Sequence, residues 1–198
     1  MSAGTPSPVR FFYDYVDPGS YLVERVLADV ADGLGLSVER VPFEMNAPPA
    51  PLVDPTGEGW LRFWEGARAA AAEEGLALAQ PRLVPWTRKA HELALHAREL
   101  GRFAEMHGAL FAAFLVDGRD VGRVDVLLDL ALRHGLDLTH AKAVLDVDRH
   151  AGDVVAARAH AERVGVRGVP TLLAEHGRLE GFRGRAATLA FLERAAAR

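Results

Sequence analysis

The sequence predicts an α/β fold in which a β-α-β opening and a β-β-α ending flank a long all-helical stretch. Three observations carry this expectation. Runs of β-branched and aromatic residues are confined to the first ~45 and last ~30 positions. Between residue 57 and about residue 164 the apolar residues recur at helical spacing. An Asp-Pro pair, Asp17-Pro18, follows the first strand within four residues, as a helix start should. With 198 residues, 49% hydrophobic and 25% charged, the chain is long enough for one domain, or one domain carrying a large insertion.

The first strand is Val9–Tyr13. The helix after it is capped by Asp17 and opened by Pro18, whose missing N–H would have had no helical partner. Tyr21, Leu22, Val26 and Val30 give that helix an apolar stripe, ended by Gly33 and Gly35. A second strand over residues 37–43 contains Pro42, which places it at a sheet edge or makes Pro42 its end. The proline-rich segment 46–55 is a loop. Helical stripes follow at Trp60, Phe63, Trp64 and Ala67, at Phe103, Met106, His107, Leu110, Phe111 and Phe114, and at Val124, Leu127, Leu128 and Ala131. Two more helices begin near Asp137 and His150. Pro170 then precedes an apolar strand, His176-Gly177 is a turn, residues 178–182 pair back as a hairpin, and 186–197 close as a helix.

Composition removes several function classes. Net charge −4, with 27 acidic against 23 basic residues, gives no global attraction for nucleic acid or anionic lipid. With no cysteine there is no disulfide, thiolate metal site or cysteine nucleophile, so any thiol must come from a ligand. Residues 1–8 read as a disordered tail, and no apolar run suited to a signal peptide or membrane span follows, so a cytoplasmic location is expected. His91 and His96 are five apart and project about 140° apart on a helix, which does not make a zinc-protease motif, and no metal ligand set is read.

Four segments resemble the DsbA family of thioredoxin-fold proteins, whose relatives include FrnE-like proteins, 2-hydroxychromene-2-carboxylate isomerases and kappa-class glutathione transferases. Asp14-Tyr15-Val16-Asp17-Pro18-Gly19-Ser20-Tyr21-Leu22 is similar to the family's Asp-aromatic-x-Cys-Pro-x-Cys-Tyr segment. Pro42-Phe43-Glu44-Met45-Asn46 resembles its Pro-Phe-Glu-Leu-Asn segment. Val84-Pro85-Trp86-Thr87-Arg88-Lys89-Ala90-His91 resembles a Pro-Asn-Thr-x-x-Ala-His segment opening a helix, and Gly168-Val169-Pro170-Thr171 the loop bearing a cis-proline. The resemblance implies a thioredoxin-like fold formed by residues 9–56 and 165–198, with 57–164 as a helical insertion domain. Where redox members carry Cys-x-x-Cys this chain has Asp17-Pro18-Gly19-Ser20, so dithiol exchange is chemically excluded. In the isomerase and transferase relatives a serine replaces the first cysteine and holds the sulfur of bound glutathione; here that position is Asp17.

Asp17 has two readings. It is an N-cap in an inactivated or repurposed site, or it is a general base whose pKa is raised by burial beneath the Val169-Pro170 loop, against the helix dipole. Ser20 is a backbone-bonding hydroxyl or a nucleophile. Asp14 is a paired structural carboxylate or a second proton-transfer group. Tyr21 packs with its hydroxyl at the site's rim, Trp86 lines the site, and Arg167 meets an anionic substrate group or solvent.

The resemblance implies a cleft between the Asp17 helix start, the Val169-Pro170 loop and the helical stretch. The activity it implies is non-redox isomerisation or conjugation of a small aromatic substrate, with glutathione or another low-molecular-weight thiol as co-substrate and a homodimer as the assembly. The alternative is a non-catalytic binding protein that keeps the cleft for a peptide or metabolite.

Overall fold

The computed structural model describes residues 8–197, so the tail read at the N-terminus lies, apart from Pro8, outside the described residues. Strand β1 (Val9–Tyr13) leads through α1 (Pro18–Val30) to β2 (Val38–Pro42). Six helices follow: α2 (Glu58–Glu73), α3 (Arg88–Glu99), α4 (Phe103–Leu115), α5 (Val124–Arg133), α6 (Leu138–Asp146) and α7 (Ala151–Arg163). The chain ends with β3 (Thr171–Ala174), β4 (Gly177–Glu180) and α8 (Arg185–Ala196). The sheet order is β2-β1-β3-β4, with β1 parallel to β2 and antiparallel to β3, and β3 antiparallel to β4. This is the thioredoxin-like arrangement. β2 is an edge strand and ends at Pro42, where a missing N–H costs no ladder bond.

Alternation along β1 sends its side chains to two cores. Val9, Phe11 and Tyr13 face the large cluster built with α1, α3 and α4, while Phe12 faces a smaller one with Val41, Phe43, Ala161 of α7 and Val166. Both faces of β1 are therefore covered, which accounts for its almost unbroken apolar sequence. α3 packs against α4, α5, α6 and α7. That position buries polar as well as apolar side chains: His91, Glu92 and His96 are buried along with Ala90, Leu93, Ala94 and Ala97.

A polar network ties α4 to the β1-α1-β2 unit. His107 is 1% exposed, on the apolar face of α4. Its Nδ1 is 2.9 Å from the Tyr15 hydroxyl, and its Nε2 is 3.3 Å from Glu24, an ion-pair distance. Arg40 of β2 donates to both oxygens of Glu24. Burial alone would push the Glu24 carboxyl up, but His107 and Arg40 outweigh it and hold it below its ordinary value. No described helix is long and apolar enough to cross a membrane.

Candidate functional site

The site is built at the N-terminus of α1. Asp17 is its N-cap in extended conformation (φ −98°, ψ 111°), followed by Pro18. The side chain accepts the Ser20 backbone N–H and the Ser20 hydroxyl, both at 2.6 Å and both on Oδ2. Those bonds and the helix terminus favour the ionised carboxylate. Burial opposes them and prevails: Asp17 is 2% exposed, and desolvation, helped by the negative charge of Asp14, raises its pKa from 3.8 to about 7. Asp17 is thus a cap by geometry and a carboxyl held near neutrality by its burial.

Asp17 opens on a cavity of about 280 Å³. One wall is Gly19 and Leu22 of α1; another is Phe63, Gly66, Ala67 and Ala70 of α2; the third is Val169 and Pro170 with Gly181 and Phe182 beyond β4. The Val169-Pro170 peptide is cis. Gly181 donates its N–H to the Pro170 carbonyl at 2.8 Å, which sets Phe182 beside the proline. At Gly19 the close approach of that loop requires glycine, since a Cβ there would lie 2.9 Å from Pro170 Cδ. The walls are apolar or aromatic apart from Asp17.

Behind Asp17 lies a fully buried polar layer. The Ser20 hydroxyl is sealed from the cavity, donating to Asp17 and accepting the Asp14 backbone N–H at 3.3 Å. Of the two readings of Ser20, the backbone-bonding hydroxyl is the one its contacts match, and its side chain does not line the cavity. Asp14 accepts from Tyr15 N at 2.7 Å, Met45 N at 2.7 Å and His91 Nε2 at 3.1 Å. Glu44 is buried and paired with Arg88 at 2.8 Å. Three of the four segments carrying the family resemblance therefore converge on Asp14 and Glu44, and the fourth packs its Pro170 against Gly19, beside Asp17. Asp14 is a buried, paired carboxylate, held by donors from three parts of the chain.

Three expected binding residues lie elsewhere. Tyr21 turns toward α4, stacking on Phe111 with ring centroids 5.4 Å apart, while Leu22, about 100° further round α1, takes the cavity face. Trp86 is held by a bond from its indole N–H to the Ala50 carbonyl at 3.0 Å. It lines a separate cavity of about 390 Å³ with Pro48, Pro85 and Lys89. That cavity is larger, but its Lys89–Asp148 pair is an ordinary surface ion pair. Arg167 donates to the Glu162 carbonyl and lines a third cavity on the other side of Val169.

The sequence reading missed His91 as the partner of Asp14, and it missed Phe63 and Phe182 as cavity walls. Phe63 belongs to the helical stripe with Trp60 and Trp64, yet it is 40% exposed and lines the cavity. The small residues Gly66, Ala67 and Ala70 leave the open space beneath it.

Comparison with known proteins agrees with the fold. A curated relative, the uncharacterized protein YwbO of Bacillus subtilis, is 27% identical over 170 residues, 83% of this chain and 85% of its own. Among solved structures, a probable DsbA oxidoreductase from Streptomyces coelicolor superposes with TM-score 0.82 at 25% identity, covering 96% of this chain and 90% of its own. A 2-hydroxychromene-2-carboxylate isomerase superposes with TM-score 0.78 at 19% identity, covering 96% and 95%. The cytosolic disulfide reductase DsbM of Pseudomonas aeruginosa, solved with GSH, gives TM-score 0.68 at 22% identity, covering 97% and 100%. At these last two identities the likeness shows the fold alone. The DSBA-like thioredoxin domain matches residues 8–193, and this chain belongs to that family.

Proposed function

We propose that this protein is a cysteine-free, redox-neutral enzyme in which Asp17 moves a proton on a small aromatic substrate held between Phe63, Phe182 and Pro170. The observation that carries the reading is a single carboxyl with pKa near 7 at the floor of an otherwise apolar cavity. Ser20 occupies Oδ2, which leaves Oδ1 to take a proton from one substrate atom and return it to another, so an isomerisation balances with no oxidant or reductant. A cavity of about 280 Å³ suits a ligand of one or two rings, being near the lower end of the ~300–1,000 Å³ of small-molecule sites. The isomerase among the structural neighbours supports this reaction class, and the neighbour solved with GSH supports testing glutathione as co-substrate. The protonated form of Asp17 offers a sulfur an O–H donor, whereas the ionised form repels a thiolate.

The test is turnover of 2-hydroxychromene-2-carboxylate and related aromatic hydroxy-carbonyl compounds, with and without reduced glutathione, by wild type and Asp17→Asn. The expected result is turnover by the wild type and a loss of about 10²–10⁴-fold in the variant. Equal rates in the two proteins overturn the assignment of Asp17. A second reading, a ligand-binding protein without turnover, is favoured by the N-cap geometry of Asp17. It predicts that such compounds bind wild type and Asp17→Asn alike, with no product formed.

A further inference from the structure

Away from the Asp17 cavity, at the C-terminal end of α3, two histidines and a glutamate converge. His96 and Glu99 are three residues apart on α3 and share a face; His150 is the N-cap residue of α7. One donor atom from each lies within 4.8 Å of the others, with His96 Nδ1 3.8 Å and His150 Nε2 3.6 Å from Glu99 Oε2. We propose that these residues form a binding site for a zinc-class divalent cation, which clamps α3 to α7.

The state of the imidazoles points to a ligand. His96 is 6% exposed, yet neither of its ring nitrogens has a hydrogen-bond partner, and His150, equally buried, leaves Nε2 without one. A buried polar atom left unsatisfied costs about 1–3 kcal/mol, so three in one spot require an explanation. A cation takes up two of them, His96 Nδ1 and His150 Nε2, because a neutral imidazole nitrogen is a good ligand for Zn²⁺ and its neighbours in the first transition row. In tetrahedral coordination at about 2.0–2.1 Å, donor atoms sit about 3.3 Å apart. The observed spacings therefore need only small side-chain rotations.

The surroundings fit the same role. The other nitrogen of His150, Nδ1, is 3.1 Å from Asp153 Oδ2, the carboxylate–histidine arrangement that orients a metal-binding imidazole and makes it a stronger donor. Three protein ligands leave a fourth position for water. The opposing group is Arg149, whose Nη2 is 3.4 Å from Glu99 Oε1; both side chains are largely exposed, so Arg149 can swing away when the cation enters. The spacing of His91 and His96 gives no metal motif within α3, since the second imidazole comes from α7, more than fifty residues on.

Tag-free, chelator-treated protein titrated with Zn²⁺ by calorimetry tests the proposal, with Co²⁺ absorption as an independent readout. Because the chain has no cysteine, visible Co²⁺ bands can arise only from nitrogen and oxygen ligands. One equivalent of Zn²⁺ is expected per chain. Asp153→Asn should weaken binding about 10–100-fold, and Glu99→Ala or His150→Ala by more than about 100-fold. His140→Ala, at an exposed histidine on α6, should match wild type. Glu99 is surface-exposed, so its variant keeps the fold, which circular dichroism verifies. Absence of stoichiometric binding to the wild type, or weak multi-site binding that survives Glu99→Ala unchanged, overturns the site.

Discussion

Ser20 directs both its backbone N–H and its hydroxyl to the same oxygen of Asp17, each at 2.6 Å. The pair closes the first turn of α1 on a carboxyl that also lines the cavity. Burial costs the ionised form more than these bonds return, which is why the carboxyl is held near pH 7.

Stability should therefore depend on pH in a direction opposite to that of a salt-bridged aspartate. The folded-state pKa is raised above the unfolded one, so the native state keeps a proton that the unfolded chain releases as pH rises from 3.8 to about 7. At about 1.4 kcal/mol per pH unit the wild type loses on the order of 4 kcal/mol over this window relative to Asp17→Asn, and no more above it. Urea unfolding of both proteins at pH 4, 6 and 8 checks this: the stability gap should open with pH, and parallel curves would count against a buried carboxyl.

Ser20→Ala removes one of the bonds that favour the ionised form, so the Asp17 pKa should rise further. In an NMR titration of the Asp17 carboxyl carbon the midpoint should move to higher pH. Any activity whose rate rises with ionisation of Asp17 should move its ascending limb in parallel.

Gly19→Ala places a methyl 2.9 Å from Pro170 Cδ, where the ring cannot yield without displacing the loop. A cost of about 1–3 kcal/mol is expected from overpacking, together with weaker binding of any aromatic ligand in the cavity. Thermal unfolding and ligand titration of the variant measure the two effects.

Asp14→Ala strands the donors of Tyr15, Met45 and His91 in a buried layer. A loss of about 3–5 kcal/mol is expected, the range for removing one partner from a buried charged network. His91→Ala should be less severe, since Asp14 keeps its two backbone donors. Denaturant midpoints of the two variants rank them, and a milder Asp14→Ala would contradict the network described.

Local signals made much of the fold legible. The Asp17-Pro18 helix start, the strands on either side of it, the proline at the end of β2 and the closing hairpin are set by backbone chemistry within a few residues. In α3 the burial of His91, Glu92 and His96 beside Leu93 and Ala94 is not legible from residue type, because these polar side chains are covered by other parts of the chain. Tyr21 and Trp86 sit next to site residues in sequence, yet packing against Phe111 and the Ala50 carbonyl turns them to other cavities.

The amino-acid sequence by itself determined that this protein cannot exchange dithiols, because it has no sulfur nucleophile to offer, and that a carboxylate caps the helix where redox relatives place a cysteine. Only the tertiary structure decided the chemical state of that carboxylate. Its pKa depends on how much water is removed around it, and the walls that meet at its cavity include Phe63 and Pro170, respectively about 45 and 150 residues away along the chain. Desolvation is a property of assembled surfaces, so no local pattern around Asp17 could reveal it.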